Sequence, residues 1–221
     1  GFIIVKKRDL YITQNSYLFV HRYFLKFFKK EDSKIIFVRE RNRGIFKKYI
    51  EIICWFGLLN FLRCVFGEFK YLIKLNKKLQ NIEFQYVDDS NLNYFLIKAL
   101  KSGNYKRVFS IGCPCLIDHS LQEDYSIPIF NLHGGILPFQ KGRYSPLKSI
   151  KKGHKYLGTS LHIINDSFDQ GNILSQDYFE FIDADRLLNY KRVLKLSASL
   201  LEDFLENKKK NIPLKINNYF K

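Results

Sequence analysis

The sequence contains no methionine and begins at Gly1. Together these lead us to expect a chain that is not a complete translation product. Cysteine is scarce, represented by Cys54, Cys64, Cys113 and Cys115 alone. The first two fall in an apolar, helix-like stretch where a free buried thiol is the ordinary reading. Cys113-Pro114-Cys115 is spaced too closely for a zinc pair, and no second Cys/His pair follows. A disulfide scaffold is thereby excluded, no metal is expected, and the location expected is a reducing cytoplasm. A signal peptide is not read either: the short apolar run Gly1 to Val5 precedes Lys6-Lys7-Arg8, the reverse of the usual order. Long apolar runs are missing as well. The most apolar stretch, Ile50 to Phe66, is broken by Glu51, Asn60 and Arg63, which favours a buried or interfacial helix over a membrane span. Lysines at 47, 48, 70, 74, 77 and 78 surround it, so peripheral membrane contact through 45–80 stays open. Acidic residues are few, 21 against 37 Lys and Arg, a formal charge of +16. Such a field attracts anions: nucleic acid, anionic lipid or phosphorylated small substrates.

What is present is a globular composition, 46% hydrophobic and 26% charged, and the length predicts one domain, 1–221, with no repeat or low-complexity linker. Leu10 to Thr13 reads as a buried strand, Tyr17 to Lys30 as a helix with an aromatic stripe, and Lys34 to Arg39 as a second strand. This is a βαβ unit. Residues 45–80 read as a helical insertion of one or two helices, with Gly57 and Gly67 marking kinks. Short strands are predicted at Glu83 to Val87, Val108 to Ile111 and Ile127 to Leu132. Ser90 and Asn91 are expected to cap a helix over Leu92 to Lys101. Ser145 is expected to cap another, with Pro146 at its first position. Strand-like segments at Gly158 to Asn165 and Asn172 to Phe181 lead into a long helix from Arg186 to Asn207. The fold class expected is α/β: a Rossmann-like twisted, mostly parallel sheet flanked by helices. In such sheets the site lies beyond the carboxyl ends of the strands, which directs attention to Gly112 to Ile117 and to Asn131 onward.

The second segment carries the chemistry. In Asn131-Leu132-His133-Gly134-Gly135, period-2 alternation puts Asn131 and His133 on one side as the chain leaves the sheet. The two glycines allow close approach of the backbone to a ligand. An amide and an imidazole converging at a strand exit can hold a developing negative oxygen. In isolation, Asn-x-His is more often a satisfied core pair, and Asp169-Gln170-Gly171 only a turn. Their order along the chain is what distinguishes them: Asn131-x-His133, then Leu137-Pro138 with a loop ending at Gly142, then Gly158-Thr159, then Asp169-x-Gly171.

In that order these pieces resemble the folate-dependent formyltransferase family, most strongly from about Val108 to Phe181, and the looser match within it is to the short sugar N-formyltransferases. The resemblance implies a single formyltransferase catalytic domain and a catalytic trio of Asn131, His133 and Asp169. It implies 10-formyltetrahydrofolate as cofactor, its pterin held largely by backbone of Cys115, Leu116 and Ile117 and of Asn165, Asp166, Ser167 and Phe168. Cys115 is then a pocket-wall residue rather than a redox or metal thiol. Gly134, Gly135, Lys141 and Arg143 are the expected substrate-side residues, the two cations meeting a diphosphate. Gly134-Gly135 departs from the pair that often follows the His, which weakens a glycinamide ribonucleotide reading. Only Asn211 to Lys221 follows the last helix, which leads us to expect no barrel domain of the methionyl-tRNA enzymes. The substrate expected is a nucleotide-linked amino sugar for surface polysaccharide, with glycinamide ribonucleotide or methionyl-tRNA as alternatives. The oligomeric state is open, a dimer being compatible. Nucleic acid is not favoured as a partner, because the basic clusters are dispersed and no RNA-binding motif accompanies them. The non-enzymatic alternative is a basic α/β module that binds RNA or membrane.

Overall fold

Three strands buried on both faces set the architecture. In β1 (Arg8–Gln14), Leu10, Tyr11 and Ile12 are all inaccessible to solvent, and β2 (Ser33–Arg39) and β4 (Tyr105–Ile111) carry equally continuous apolar runs. Runs of this kind belong to the middle of a parallel sheet covered on both sides. The computed structural model describes residues 7–14, 20–30, 32–41, 45–66, 82–181 and 185–208. Its strands form one seven-stranded sheet in the order β3-β2-β1-β4-β5-β6-β7, where β3 is Phe84–Asp88, β5 Ile129–His133, β6 Tyr156–Ile163 and β7 Ile173–Glu180. From β3 to β5 all pairings are parallel, and β6 and β7 close the sheet antiparallel. The expected mostly parallel α/β sheet is therefore the observed one.

The helices are α1 (Val20–Phe28), α2 (Ile45–Phe56), α3 (Leu92–Lys101), α4 (Leu121–Tyr125), α5 (Ser145–Lys151) and α6 (Arg186–Leu205). One face of the sheet is covered by α1 and α6, whose Phe24, Phe27, Phe28, Leu200 and Leu201 pack on Tyr11, Phe37, Phe109 and Phe130. The other face is covered by α3 and α4 through Leu92, Leu96, Leu100 and Leu121. Each such fully buried side chain stabilises the fold by roughly 1.5–3 kcal/mol. Charge is admitted where it is paired. Asp9 lies in the core, opposite Arg107 in the β1·β4 register, and accepts two guanidinium hydrogen bonds of 2.9 Å each.

In the stretch expected to be a helical insertion, α2 starts at Ile45. After α2 the helix breaks at Gly57 and resumes over 58–66. Ile52, Phe56 and Cys64 turn inward against Leu147 and Leu187, while Tyr49, Ile50, Leu58, Leu59, Leu62, Val65 and Phe66 are exposed. Gly67 and the rest of the insertion, the start of the chain through Lys6, and Lys209 and Lys210 lie outside the described residues. Among the described residues no helix is long and apolar enough to cross a membrane.

Two caps differ from expectation. Neither Ser90 nor Asn91 caps α3 through its side chain; a short 3-10 turn over Asp89–Asn91 leads into the helix instead. At α5 the N-cap is Tyr144, in the left-handed region at φ 55°, and Ser145 is already helical. The Ser145 hydroxyl donates to the Gly134 carbonyl, fastening the loop after β5 to the start of α5.

Candidate active site

The strand order reverses between β1 and β4, and the crevice at their carboxyl ends is where open α/β sheets place ligands. A cavity of about 450 Å³ lies there. Its wall is made by the ends of three strands (Gln14 of β1, Ser110 of β4, Asn131 and His133 of β5), by 112–117, by Ile164 and Asn165, and by Ser167 to Asp169. Of the residues expected from sequence, Cys115, Leu116, Ile117, Asn165, Ser167, Phe168, Asn131, His133, Asp169, Gly134 and Arg143 all line it, while Asp166, Gly135 and Lys141 do not.

Asn131, His133 and Asp169 meet. The Asp169 carboxylate, 8% exposed, lies with Oδ1 3.3 Å from His133 Nδ1 and accepts a long 3.4 Å bond from Asn131 Nδ2. Its other oxygen accepts from the Gly142 backbone N–H at 2.7 Å. Asp169 adopts φ 54°, a left-handed turn conformation that short polar side chains tolerate. The turn closes tightly because of Gly171. A Cβ there would stand 1.6 Å from the Ile163 carbonyl oxygen, so no side chain fits.

Both ring nitrogens of His133 face acceptors, since Nε2 lies 2.6 Å from the Gln140 carbonyl. Carbonyl and carboxylate oxygens only accept, so both contacts are hydrogen bonds only when each nitrogen carries a proton. The Gln140 contact is held by a pinned loop. Gln140 Oε1 accepts from Ile136 N at 3.0 Å, and its Nε2 donates to the Tyr156 carbonyl at 2.7 Å. Ser160 and Gln176, both buried, bond the backbone of Gly135 and Leu137. Gly135 serves this packing rather than a ligand. A Cβ there would lie 2.3 Å from the Gln140 carbonyl and 2.7 Å from His133 Nε2.

Sequence reasoning missed His162. It stands opposite Asn131 in the antiparallel β5·β6 register. Its Nδ1 is 3.0 Å from the Ile163 carbonyl, so that nitrogen carries the proton, and Nε2 accepts from Asn131 Nδ2 at 3.0 Å. Burial pushes its pKa below the ordinary 6.5, which keeps the accepting form populated. With the Ser110 hydroxyl donating to Asn131 Oδ1 at 3.0 Å, the amide has one orientation. One Asn131 N–H is thus held by His162, and the other makes only the 3.4 Å contact that an incoming oxygen can displace.

Arg143 spans to Glu40, just past β2, in a two-point pair of 2.6 and 3.1 Å, and Gln14 Nε2 donates to the same carboxylate at 2.6 Å. Its charge is balanced at the cavity rim. Lys141 is exposed on the neighbouring loop.

With the geometry established, comparisons with known proteins can be set beside it. A family model described as "Formyl transferase" matches residues 84–203, more than half of the chain. The methionyl-tRNA formyltransferase of Fervidobacterium nodosum is 29% identical over 83 residues, 37% of this chain and 27% of that protein. The chain thus spans well under half the length of that relative. Among solved structures, phosphoribosylglycinamide formyltransferase from Anaplasma phagocytophilum is similar with a TM-score of 0.62 at 18% identity, covering 91% of this chain and 86% of that one. A 4-N formyltransferase from Francisella tularensis gives 0.59 at 18%, covering 94% and 73%. A Mycobacterium tuberculosis protein provisionally described as a sugar N-formyltransferase gives 0.56 at 17%, covering 90% and 66%. At these identities the structures establish a shared fold.

Proposed function

We propose, for a chain that belongs to the formyl transferase family, that it moves a formyl group from 10-formyltetrahydrofolate to the primary amine of a nucleotide-linked amino sugar. The observation that carries the chemistry is the convergence of Asn131, His133 and Asp169 on one wall of the cavity. In support of the cofactor, 112–117, Ile164, Asn165, Ser167 and Phe168 line the cavity together with Ile111, a mixed polar and apolar surface of the kind a flat, polar-edged ring needs. When bound, 10-formyltetrahydrofolate supplies the formyl carbon on N10. Asn131 offers its displaceable N–H to the formyl oxygen as negative charge grows there. His133, with Nε2 bonded to the Gln140 carbonyl and Nδ1 3.3 Å from the Asp169 carboxylate, stands beside that oxygen, and Asp169 keeps the ring oriented. His162 is a positioning residue that sets the Asn131 amide. A proton leaving the amine has the Asp169 carboxylate within the same cluster to hold it.

The amino-sugar reading draws support from the Gly134-Gly135 loop, which differs from the glycinamide ribonucleotide pattern, and from Lys141 beside the rim. The likeness to a provisional sugar N-formyltransferase is in the fold. Arg143, balanced by Glu40, supports this reading less than the sequence implied. We place the enzyme in the cytoplasm, with contact to a membrane surface through the exposed apolar face of 45–66 as a further reading. The test is a formyl-transfer assay against a panel of nucleotide amino sugars, with glycinamide ribonucleotide and methionyl-tRNA as competitors. Transfer to a nucleotide amino sugar is expected. Transfer only to a competitor overturns the substrate, and transfer to none overturns the chemistry.

A further inference from the structure

Cys113 and Cys115 stand in the cavity wall where 112–117 leaves β4, with sulfur atoms 3.8 Å apart. Both are partly buried in that wall. Pro114 between them fixes its own backbone torsion and limits how far the two side chains can separate. Closing the gap to a bonded sulfur distance of about 2.05 Å takes side-chain rotation of under about 2 Å. The two thiols are also unequal. With the Cys113 S–H directed at Cys115, the bond between them lowers the pKa of Cys115, and the same bond with burial raises that of Cys113 well above the ordinary value. A nucleophile and its resolving partner differ in this way. Of the other two cysteines, Cys64 is buried in a different cluster and Cys54 is exposed, against the buried thiol expected there.

We propose that Cys113 and Cys115 are a redox-active dithiol site that takes low-molecular-weight disulfides and closes to an intrachain disulfide, and that closure removes ligand binding from the adjoining cavity. The steps balance. The Cys115 thiolate attacks one sulfur of the small disulfide, forming a mixed disulfide and expelling one small thiolate. Cys113 then loses its proton and attacks the Cys115 sulfur, expelling the second thiolate. The protein gives up two electrons and two protons, and the small disulfide becomes two thiols. The family resemblance implies Cys115 as wall alone; the neighbouring sulfur gives it a second role. The effect on ligand rests on the reading of this cavity as the folate pocket, whereas formation of the bond does not.

The full chain is incubated in glutathione buffers from fully reduced to fully oxidised, alkylated, and analysed by intact mass and peptide mapping. Loss of two hydrogens mapped to the peptide bearing Cys113 and Cys115, reversed by dithiothreitol, is expected. Cys113→Ser should instead accumulate the mixed disulfide at Cys115. In parallel, binding of 5-formyltetrahydrofolate, a stable analogue, should be lost on oxidation and recovered on reduction. No intrachain bond in fully oxidised glutathione, or a stable mixed disulfide in the unaltered chain, overturns the redox site. A bond that leaves analogue binding unchanged overturns the exclusion. A reduced protein that binds no analogue overturns the folate reading and leaves the mass result standing.

Discussion

Exchanging the carboxylate of Asp169 for an amide separates the charge of the cluster from its shape. Asp169→Asn keeps the side-chain volume at a position that is 8% exposed, and the retained oxygen can still accept from Gly142 N–H, now 2.7 Å away. The introduced NH₂ then faces His133 Nδ1, which in the native protein lies 3.3 Å from a carboxylate oxygen. A donor at that point is satisfied only if Nδ1 gives up its proton and accepts. His133 is then held neutral, with its remaining proton on Nε2 toward the Gln140 carbonyl. The net loss in folding is the long bond from Asn131 and some charge assistance, about 1 kcal/mol. On the proposed mechanism the loss in catalysis is larger, because the carboxylate charge that orients His133 beside the growing oxyanion is removed. Removing one such contributor costs about 2.7–4 kcal/mol, a fall of roughly 100- to 1000-fold in kcat. Urea unfolding, steady-state formyl transfer and nitrogen NMR of the His133 ring would be measured together. The His133 Nδ1 resonance should shift in the variant, as that nitrogen then faces a donor in place of a carboxylate oxygen. A folded variant with turnover within about threefold of native would refute the reasoning, since about 0.7 kcal/mol is too little for a preorganised charge.

His162→Ala should lower kcat roughly tenfold, since Asn131 loses the acceptor that orients its amide, worth about 1–1.5 kcal/mol. Because burial depresses the native pKa of His162 below 6.5, its contribution to stability is fully present above pH 6.5 and is lost as pH falls toward the native pKa. The difference in unfolding free energy between native protein and His162→Ala should therefore shrink on acidification in that window; a difference independent of pH would contradict the neutral, accepting ring. Gly171→Ala should destabilise by about 3 kcal/mol or more, because a methyl 1.6 Å from the Ile163 carbonyl forces the Asp169 turn open. Native stability by urea titration would show that the turn has slack.

Much of this was legible in one dimension. The buried runs of β1, β2 and β4 announce a central parallel sheet, and period-2 spacing at the end of β5 pairs Asn131 with His133 before any fold is known. The Asp169 turn was legible as a turn, and the order of the motifs made it a partner. What escaped depends on long-range pairing. His162 sits in an apolar strand, Leu161-His162-Ile163, and reads there as a core histidine; only the β5·β6 register puts it against Asn131. Arg143 looks like a loop cation, and nothing near it in sequence reveals Glu40, 103 residues away. Ser145 has the sequence of a cap, but the Gly134 carbonyl competes for its hydroxyl. Gly135 looks like room for a ligand and is instead room for Gln140 and His133.

The antiparallel pairing of β5 with β6 has a consequence for how such an enzyme can diversify. Asn131 and His162 are rungs of one ladder, aligned by backbone hydrogen bonds that no substrate touches. Lys141 on the loop beyond β5 and the segment 45–66, neither of them part of the cavity wall, are attached to that ladder without being woven into it. A lineage can rewrite those appendages freely while the reaction centre stays indexed to the sheet. A one-residue insertion in β6 upstream of His162, by contrast, would turn the imidazole to the opposite face and silence the centre in a single event.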